Sequence, residues 1–395
     1  MLFIKEKFNL ATEFSTKWTF VMDEKQKLKE VAQLFLKLGF IGFGGPAAHL
    51  AMMQNEVVVK RKWLDEQHFL DLLGATYLIP GPNSTEMAIH IGHERAGVKG
   101  LVVAGLCFIL PAVLLTGFFA WLYKEYGQLP EIKPFLYGIK PAIIAIILGA
   151  IFPLAKKSCK TIQLGIIGSA VLLLSLLHFN EIALLFGSGF LALFFFSINS
   201  NSLKKNWIPL VFSPLSKTSL VTVSNWNLFL IFLKIGSILY GSGYVLFAFL
   251  DAELVSKGLL SRTELIDAIA VGQFTPGPVF SSVTFVGYQI NGVSGALVST
   301  LAVFLPSFVF VALLNPLVKK LRNSKFFSAF LDAVNVASVA IIISICIQMG
   351  MDTITDWRTI LIAVVGILIT FKFKNVNSAF IVIGGAFLGY LLALV

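Results

Sequence analysis

The chain alternates long apolar runs with short polar loops. A helix needs about 20 apolar residues to cross the hydrocarbon core of a bilayer, and most of these runs approach that length. The pattern therefore predicts an all-α polytopic membrane protein. In the first half, the predicted spans are Val31–Met53, Lys99–Tyr123, Phe135–Pro153, Thr161–Phe179 and Ile182–Ile198. In the second half, they are Asn227–Leu250, Gly295–Leu314, Phe326–Met349, Trp357–Phe371 and Val376–Val395.

Two further apolar stretches are interrupted by the same motif. "YLIPGPNSTE" begins at Tyr77 and "QFTPGPVFSS" begins at Gln273. Proline suits the start of a helix because its missing N–H would be unpaired there anyway. We therefore predict short helices, Asn83–His93 and Val279–Gln289, whose electropositive N-termini point into the membrane, where they would favour an anion. The alternative is a proline kink that only helps helices to pack.

The two motifs belong to an internal repeat. "FLKLG" at Phe35 matches "FLKIG" at Phe232, and Pro80-Gly-Pro82 matches Pro276-Gly-Pro278. Gly92, Gly97, Gly100 and Pro111 recur at one constant offset as Gly287, Gly292, Gly295 and Pro306. Matches that keep one offset over several positions indicate a duplication. The predicted organisation is an amphipathic segment at 1–30, a first repeat at 31–198, a cytoplasmic linker at 199–225 and a second repeat at 226–395.

Charges in the loops predict that the repeats are inverted. Basic residues in short loops mark the cytoplasmic side, which places the loops at 156–160 and 319–322 inside. Phe135–Pro153 then runs inward, whereas its counterpart Phe326–Met349 runs outward. Inversion requires an odd number of spans per repeat. Five spans satisfy this if each Pro-Gly-Pro region is a re-entrant hairpin, at about Leu64–Arg95 and Thr263–Asn291.

Composition agrees with a membrane protein and argues against other classes. Hydrophobic residues make up 57% of the 395 and charged residues 13%, and the mean hydropathy is +0.85. A soluble domain is about half apolar and a quarter charged. The net charge of +10 comes largely from the loops, so nucleic-acid binding is not expected. Cys107, Cys159 and Cys346 are far apart, and their spacing predicts no disulfide framework, metal site or cofactor.

Glycine clusters and two lysines are candidates for binding. "GFIGFGGP" ends at Pro46 and "GSILYGSGY" ends at Tyr244, and glycine there permits close approach of a helix or a ligand. Lys37 and Lys234 occupy equivalent positions within apolar runs, where a lysine costs about 2.5–3.5 kcal/mol. If the two lysines face the binding site, their positive charges would suit a dianion. The alternatives are that the glycines serve packing alone and that the lysines reach a membrane face.

Glu86 and His90 are candidates for proton coupling. They lie four residues apart, hence on one face of the short helix after the first motif. The second repeat has Ser282 at the position of Glu86, so this role would be asymmetric. The alternative is that Glu86 pairs with a base such as Lys37 or Arg95. The sequence carries no zinc-protease HExxH motif and no nucleophile elbow, so an enzyme is not expected.

The paired motifs resemble the chromate ion transporter family in its long two-domain form. "FLKLGFIGFGGPAAH" with "PGPNS" returns in altered form as "FLKIGSILYGSGY" with "TPGPVF", and the resemblance runs from about Val31 to the C-terminus. It implies a multi-pass protein of a bacterial-type plasma membrane that exports chromate, with sulfate as a structural analogue. The second repeat departs from the pattern where Gly45-Pro46 becomes Ser242-Gly243. The predicted substrate-binding residues are Lys37, Gly44, Gly45, Pro46, Pro80, Gly81, Pro82, Asn83, Ser84, Lys234, Gly241, Ser242, Gly243, Thr275, Pro276, Gly277 and Pro278.

The expected mechanism is efflux of a tetrahedral dianion by alternating access. An inside-negative potential is worth about 2.3 kcal/mol per charge per 100 mV, so expelling a dianion gains about 4.6 kcal/mol without a coupled proton. The alternatives are a carrier for sulfate or another oxyanion, proton-coupled transport, and an anion channel. The expected partners are the oxyanion and the lipid bilayer. The sequence leaves the oligomeric state open, with a homodimer as one arrangement.

Overall fold

The computed structural model describes residues 24–199, 224–241, 243–314, 325–373 and 376–394. Most of the predicted segment 1–30 and of the predicted linker 199–225 lies outside these ranges, as do Ser242 and the basic loop at 319–322. The described residues form helices and connecting turns, with no β-strand among them. The predicted all-α class is therefore confirmed.

The helices of the first half are numbered α1 to α7. Helix α1 covers residues 24–41. It is followed by α2 (Gly45–Gln54), α3 (Glu66–Thr76), α4 (Asn83–Tyr126), α5 (Lys133–Ser158), α6 (Ile162–Leu176) and α7 (Glu181–Asn199). A π-helical turn, Asn55–Lys60, continues α2.

The second half repeats this order of elements. Its helices are α8 (Asn225–Ile238), α9 (Val245–Leu250), α10 (Arg262–Phe274), α11 (Ser282–Leu314), α12 (Lys325–Thr353), α13 (Trp357–Lys372) and α14 (Ser378–Ala393). A π-helical turn, Asp251–Val255, again follows the second helix. Among the described residues, four segments are long and apolar enough to cross a membrane: Asn83–Tyr126, Lys133–Ser158, Val279–Leu313 and Ser328–Thr353.

The first predicted span of each half is broken rather than continuous. Val31–Met53 was expected to be one helix, but α1 ends at residue 41 and α2 begins at Gly45. Gly44 and Gly45 have φ values of 98° and 77°, which a continuing α-helix cannot contain. Asn227–Leu250 is likewise divided, because α8 ends at Ile238 and Gly241 has a φ of 101°. The glycine clusters therefore unwind the helices in which they lie.

Helices α4 and α11 each fold back on themselves. In α4 the helical dihedrals are interrupted at Ala96 and Gly97, and a Cβ on Gly92 would collide with the carbonyl oxygen of Gly100. In a straight helix these residues would lie about 12 Å apart. Asn291 and Gly292 interrupt α11 with nearly the same dihedrals. Each Pro-Gly-Pro loop is thus followed by a short helical leg and then by a long one.

The two halves contribute jointly to the largest hydrophobic cluster of the described residues. Helix α5 of the first half packs against α13 and α14 of the second, and α12 of the second half packs against α6 and α7 of the first. Helices α4 and α11 also pack on each other. The largest buried cluster therefore mixes residues of both halves, for example Ile143 with Ile381. The inversion of the halves across a membrane stays a prediction.

The contact between α5 and α14 can be tested with two neighbouring glycines. A Cβ on Gly385 would meet the Cβ of Ala142 and the carbonyl oxygen of Gly138, whereas a Cβ on Gly384 would meet no atom within 4 Å. We expect Gly385→Leu to lower the free energy of unfolding by about 1–3 kcal/mol through overpacking. Gly384→Leu should leave it nearly unchanged. Thermal unfolding in detergent measures both, and equal shifts would contradict the described packing.

Candidate binding site at the two Pro-Gly-Pro loops

Each Pro-Gly-Pro loop connects two helical segments that are too short to cross a bilayer. Helix α3 has 11 residues and is about 16 Å long, against a hydrocarbon core of about 30 Å. After the loop, the first leg of α4 covers only residues 83–95. The central glycines, Gly81 and Gly277, have φ values of 136° and 94°, a region that favours glycine.

The helix starts differ between the loops. Helix α4 begins at Asn83, as predicted, and Pro82 caps it in an extended conformation. After Pro278, a 3-10 turn, Val279–Ser281, comes first, and α11 begins at Ser282. The second short helix therefore starts three residues later than predicted.

Each loop is hydrogen-bonded to the unwound glycine stretch of the other half. The N–H of Gly81 donates to the carbonyl oxygen of Leu239 over 2.8 Å, just beyond α8. The N–H of Gly277 donates to the carbonyl oxygen of Gly42 over 2.7 Å, just beyond α1. The two bonds are equivalent under the repeat. The broken backbone of one half thus satisfies the broken backbone of the other.

The loops also contact equivalent points on the long helices. A Cβ on Gly81 would lie 2.6 Å from the hydroxyl oxygen of Ser307 in α11. A Cβ on Gly277 would lie 2.8 Å from the Cβ of Ala112 in α4. Ser307 and Ala112 each follow the proline inside their helix. The first loop therefore meets a hydroxyl where the second meets a methyl group.

The predicted binding residues differ in their access to solvent. Pro80, Gly81, Pro82, Ser84, Gly243, Thr275, Pro276, Gly277 and Pro278 are buried. Asn83, Gly45, Pro46 and Gly241 are half-buried, and Gly44 is exposed. Each loop lies buried against the glycine stretch of the opposite half. In this conformation the loops are closed to solvent.

The glycine stretches approach side chains of the opposite or neighbouring helices. A Cβ on Gly45 would lie 3.7 Å from the hydroxyl oxygen of Tyr244, which joins the stretches of the two halves. Gly241 lies against Ser338 of α12, whose hydroxyl donates to the carbonyl oxygen of Tyr240 over 3.0 Å. The unwound backbone therefore gains its partners from tertiary contacts.

Glu86 and His90 are buried without a cationic partner among the described residues. Glu86 is 0% exposed and His90 is 1% exposed. One carboxyl oxygen of Glu86 accepts a long hydrogen bond of 3.4 Å from the Ser307 hydroxyl, and its other oxygen has no partner. Neither ring nitrogen of His90 has one. Buried polar groups normally form hydrogen bonds, so this face can receive a proton, water or ligand.

Glu86 does not pair with the predicted bases. Arg95 contacts Glu30 at 2.7 Å, and Lys37 contacts Glu56 at 3.0 Å. An unpaired carboxylate buried this completely would cost several kcal/mol, and a neutral carboxylic acid would cost less. The alternative pairing considered from the sequence is therefore not present.

The second loop has a different polar lining. The Thr116 hydroxyl of α4 contacts the hydroxyl oxygens of Ser281 at 3.2 Å and Thr275 at 3.4 Å. The hydroxyl of Ser282, at the place of Glu86, has no partner among the described residues and is 0% exposed. Hydroxyl groups of this kind donate to oxyanions without adding negative charge.

Lys37 and Lys234 form ion pairs instead of contacting the loops. Lys37 contacts Glu56 at 3.0 Å, and Lys234 contacts Glu253 at 2.5 Å, each on the π-helical turn of its own half. Both lysine side chains are about half-exposed. Burial favours a higher pKa for Glu56, but the hydrogen bonds from Lys60 and Lys37 outweigh it and lower the pKa to about 2. These pairs are equivalent in the two halves.

Several residues of this region were missed from the sequence. Ser307, Thr116, Tyr244 and Ser338 lie outside the motifs singled out, or at their edge. For Ser307 one signal existed, since it follows the repeated proline, Pro306. The other contacts depend on how the halves are packed.

The fold is that of an all-helical polytopic membrane protein, in which two broken-helix units are hydrogen-bonded to each other. The model of the chromate transporter family matches residues 29–193 and again residues 226–390. The chain belongs to the chromate transporter family. It is a membrane transport protein of the two-domain form, with the family unit present twice.

Curated relatives extend over nearly the whole chain. It is 30% identical over 370 residues to the chromate transport protein of Cupriavidus metallidurans, covering 92% of each chain. It is 29% identical over 378 residues to a probable chromate transport protein of Synechococcus elongatus, covering 92% of this chain and 95% of the relative. An uncharacterized transporter of Methanocaldococcus jannaschii is 28% identical over 378 residues, covering 91% and 92%. No solved structure matches the chain.

The loop contact between the halves can be tested with two glycines of similar backbone conformation. Gly277 and Gly258 have φ values of 94° and 70°, but only Gly277 lies against the other half. Alanine at either position should cost about 1–2 kcal/mol in backbone strain. We expect Gly277→Ala also to displace the loop from Ala112 and abolish chromate flux in proteoliposomes, whereas Gly258→Ala retains it. Equal flux in the two variants would contradict the assignment of the loop to the site.

Proposed function

We propose that the protein exports chromate across the plasma membrane by alternating access, with the substrate bound between the two Pro-Gly-Pro loops. The observation that carries the proposal is the pair of reciprocal hydrogen bonds, from Gly81 to Leu239 and from Gly277 to Gly42. Each bond holds one helix start against the unwound glycine stretch of the opposite half. Paired discontinuous helices of this kind form the central sites of many transporters.

The chemistry of the loops suits an oxyanion. The first N–H groups of a helix have no intrahelical partner and favour negative charge. Beside them lie the hydroxyl groups of Ser84, Ser281 and Ser282, all buried. These donors do not distinguish chromate from sulfate, which has the same charge and shape, so sulfate is proposed as a competing substrate.

Burial of the loops supports a carrier rather than an open channel. An anion would reach Gly81 or Gly277 only after helices of the two halves move apart, because the loops are closed to solvent. The glycine stretches are suitable hinges, since their backbone is already unwound. A channel instead predicts currents that do not saturate and no counterflow.

Lys37 and Lys234 belong to this proposal as sources of positive potential. Each ammonium group is half-exposed and paired with a glutamate. We propose that they attract the dianion on its way to the loops, and that they contact it directly only when the ion pairs open.

The membrane potential is sufficient to drive the export of a dianion. At 100 mV, inside negative, moving two charges outward gains about 4.6 kcal/mol, or roughly three decades in concentration ratio. Proton-coupled transport is the second candidate, and the burial of Glu86 and His90 without ionic partners is the observation that favours it.

The two mechanisms predict different results for Glu86→Gln. In potential-driven export Glu86 stays neutral, because a carboxylate next to the loop would repel the dianion. Glutamine has the same shape, so we expect the chromate flux to change by less than about threefold, or about 0.7 kcal/mol in the barrier. In a proton-coupled carrier, Glu86→Gln abolishes accumulation driven by a pH gradient.

The experiment is labelled chromate flux into inside-out vesicles, with an imposed potential and then an imposed pH gradient. Unlabelled sulfate serves as the competitor, and Ser282→Ala serves as the matched change at the equivalent position of the second half. Flux driven by potential alone is the expected result. Flux driven only by the pH gradient and lost in Glu86→Gln would reject the uncoupled mechanism.

A further inference from the structure

A second polar region lies away from the Pro-Gly-Pro loops. A cavity of about 390 Å³ opens where the end of α4, the start of α5, the start of α10 and the end of α12 meet. A cavity of this volume has room for a hydrated tetrahedral anion. Residues of both halves line it. The sequence motifs do not include it.

Two lysines of α5 line the cavity. Lys133 and Lys140 both line it and lie seven residues apart, hence on one face of the helix. Lys133 also opens the helix, and Ile132 before it provides no side-chain cap. The N-terminus of α5 therefore adds its own partial positive charge to the two lysines.

Lys140 is only loosely paired. Its ammonium nitrogen lies 3.7 Å from one carboxylate oxygen of Asp267, beyond hydrogen-bond distance. That oxygen already accepts the Tyr123 hydroxyl at 2.8 Å. The other oxygen of Asp267 has no partner among the described residues, although the side chain is only 2% exposed. A lysine has three N–H donors, so Lys140 keeps donors to offer a ligand.

A buried hydroxyl group adds an unused donor. Thr353 lines the cavity, is 8% exposed, and its hydroxyl has no partner among the described residues. The second carboxylate of the cavity, Asp352, contacts Arg262 at 3.3 Å through one of its oxygens. The donors available to a ligand are therefore Lys133, Lys140 and Thr353, beside two carboxylates that are partly engaged.

The cavity is connected to the candidate site by two helices. Along α10, Asp267 precedes Thr275 by eight residues, or about 12 Å. Along α4, Thr116 precedes Tyr123 by seven residues, or about 10 Å. Thr116 and Thr275 are the hydroxyl groups that contact each other at the second Pro-Gly-Pro loop, 3.4 Å apart.

We propose that this cavity is a second anion site, a vestibule that holds a tetrahedral dianion on its way to or from the loops. Lys140 is the main residue that binds the anion. Its ammonium group leaves Asp267 when it contacts the anion. The vestibule is present on one side only, because the repeat places Asn335 at the position of Lys140. This inference rests on the proposed oxyanion transport.

The test measures the half-saturating chromate concentration for exchange in proteoliposomes that contain the full-length protein. Lys140→Gln should raise this concentration at least about tenfold, because charge-assisted hydrogen bonds to the anion are lost. Asp267→Asn should lower it, because Lys140 loses its competitor. Lys140→Arg should stay close to the wild type. Lys99→Gln is the control, since Lys99 is exposed and pairs with Glu24 outside the cavity.

The opposite signs separate a binding site from a structural ion pair. If the pair is only structural, both variants lose stability and rate, and the half-saturating concentration stays unchanged in each, which overturns the vestibule. If Lys140→Gln does not fold, Asp267→Asn decides alone: a lowered value supports the vestibule, and an unchanged or raised value rejects it. If the wild type exchanges chromate and the half-saturating concentration is unchanged in Lys140→Gln, only the vestibule is rejected. A wild-type protein that exchanges neither chromate nor sulfate rejects the proposed function as well.

Discussion

The structure depends on the pairing of interrupted backbone within an apolar protein. Backbone N–H and C=O groups that leave a helix inside a membrane cost several kcal/mol each unless other protein groups or water bind them. Here the N–H of Gly81 binds the carbonyl of Leu239, and the N–H of Gly277 binds the carbonyl of Gly42. Each half thus supplies a hydrogen-bond acceptor to the loop of the other half. Helix packing also joins the halves, because α5 packs against α13 and α14 of the second half and α12 packs against α6 and α7 of the first.

The repeat gives the two loops equivalent positions in the fold, but the side chains next to them differ. Gly81 lies near Glu86 and Ser307, whereas Gly277 lies near Ala112 and the hydroxyl cluster of Thr116. A dianion at the first loop would meet a carboxyl group, and a dianion at the second would meet hydroxyl groups. The two loops therefore differ in chemistry, with a carboxyl group at the first and hydroxyl groups at the second.

Several ion pairs lie outside the two Pro-Gly-Pro loops. The pairs Lys37–Glu56 and Lys234–Glu253 repeat in both halves and stabilise the π-helical turns next to the broken spans. The Lys140–Asp267 pair occurs once and joins the halves at a cavity. The repeated pairs flank the broken spans, and the loose pair lines the cavity proposed as a vestibule.

The amino-acid sequence by itself determined the membrane class, the duplication, the start of α4 at Asn83 and the family. The membrane class and the helix start follow from local composition and from the chemistry of proline and glycine. The duplication and the family follow from the spacing of motifs along the chain. The sequence also marked the glycine clusters and the two lysines, but it left open whether the clusters unwind and where the lysines point. Ser307 lies 221 residues from Glu86, and no local pattern could bring these two together. Only the tertiary structure decided that each broken segment binds the opposite half and that Lys140 meets Asp267, because those contacts join helices that are distant in the chain. The contact of Lys37 with Glu56 likewise depends on how α1 packs against the turn after α2.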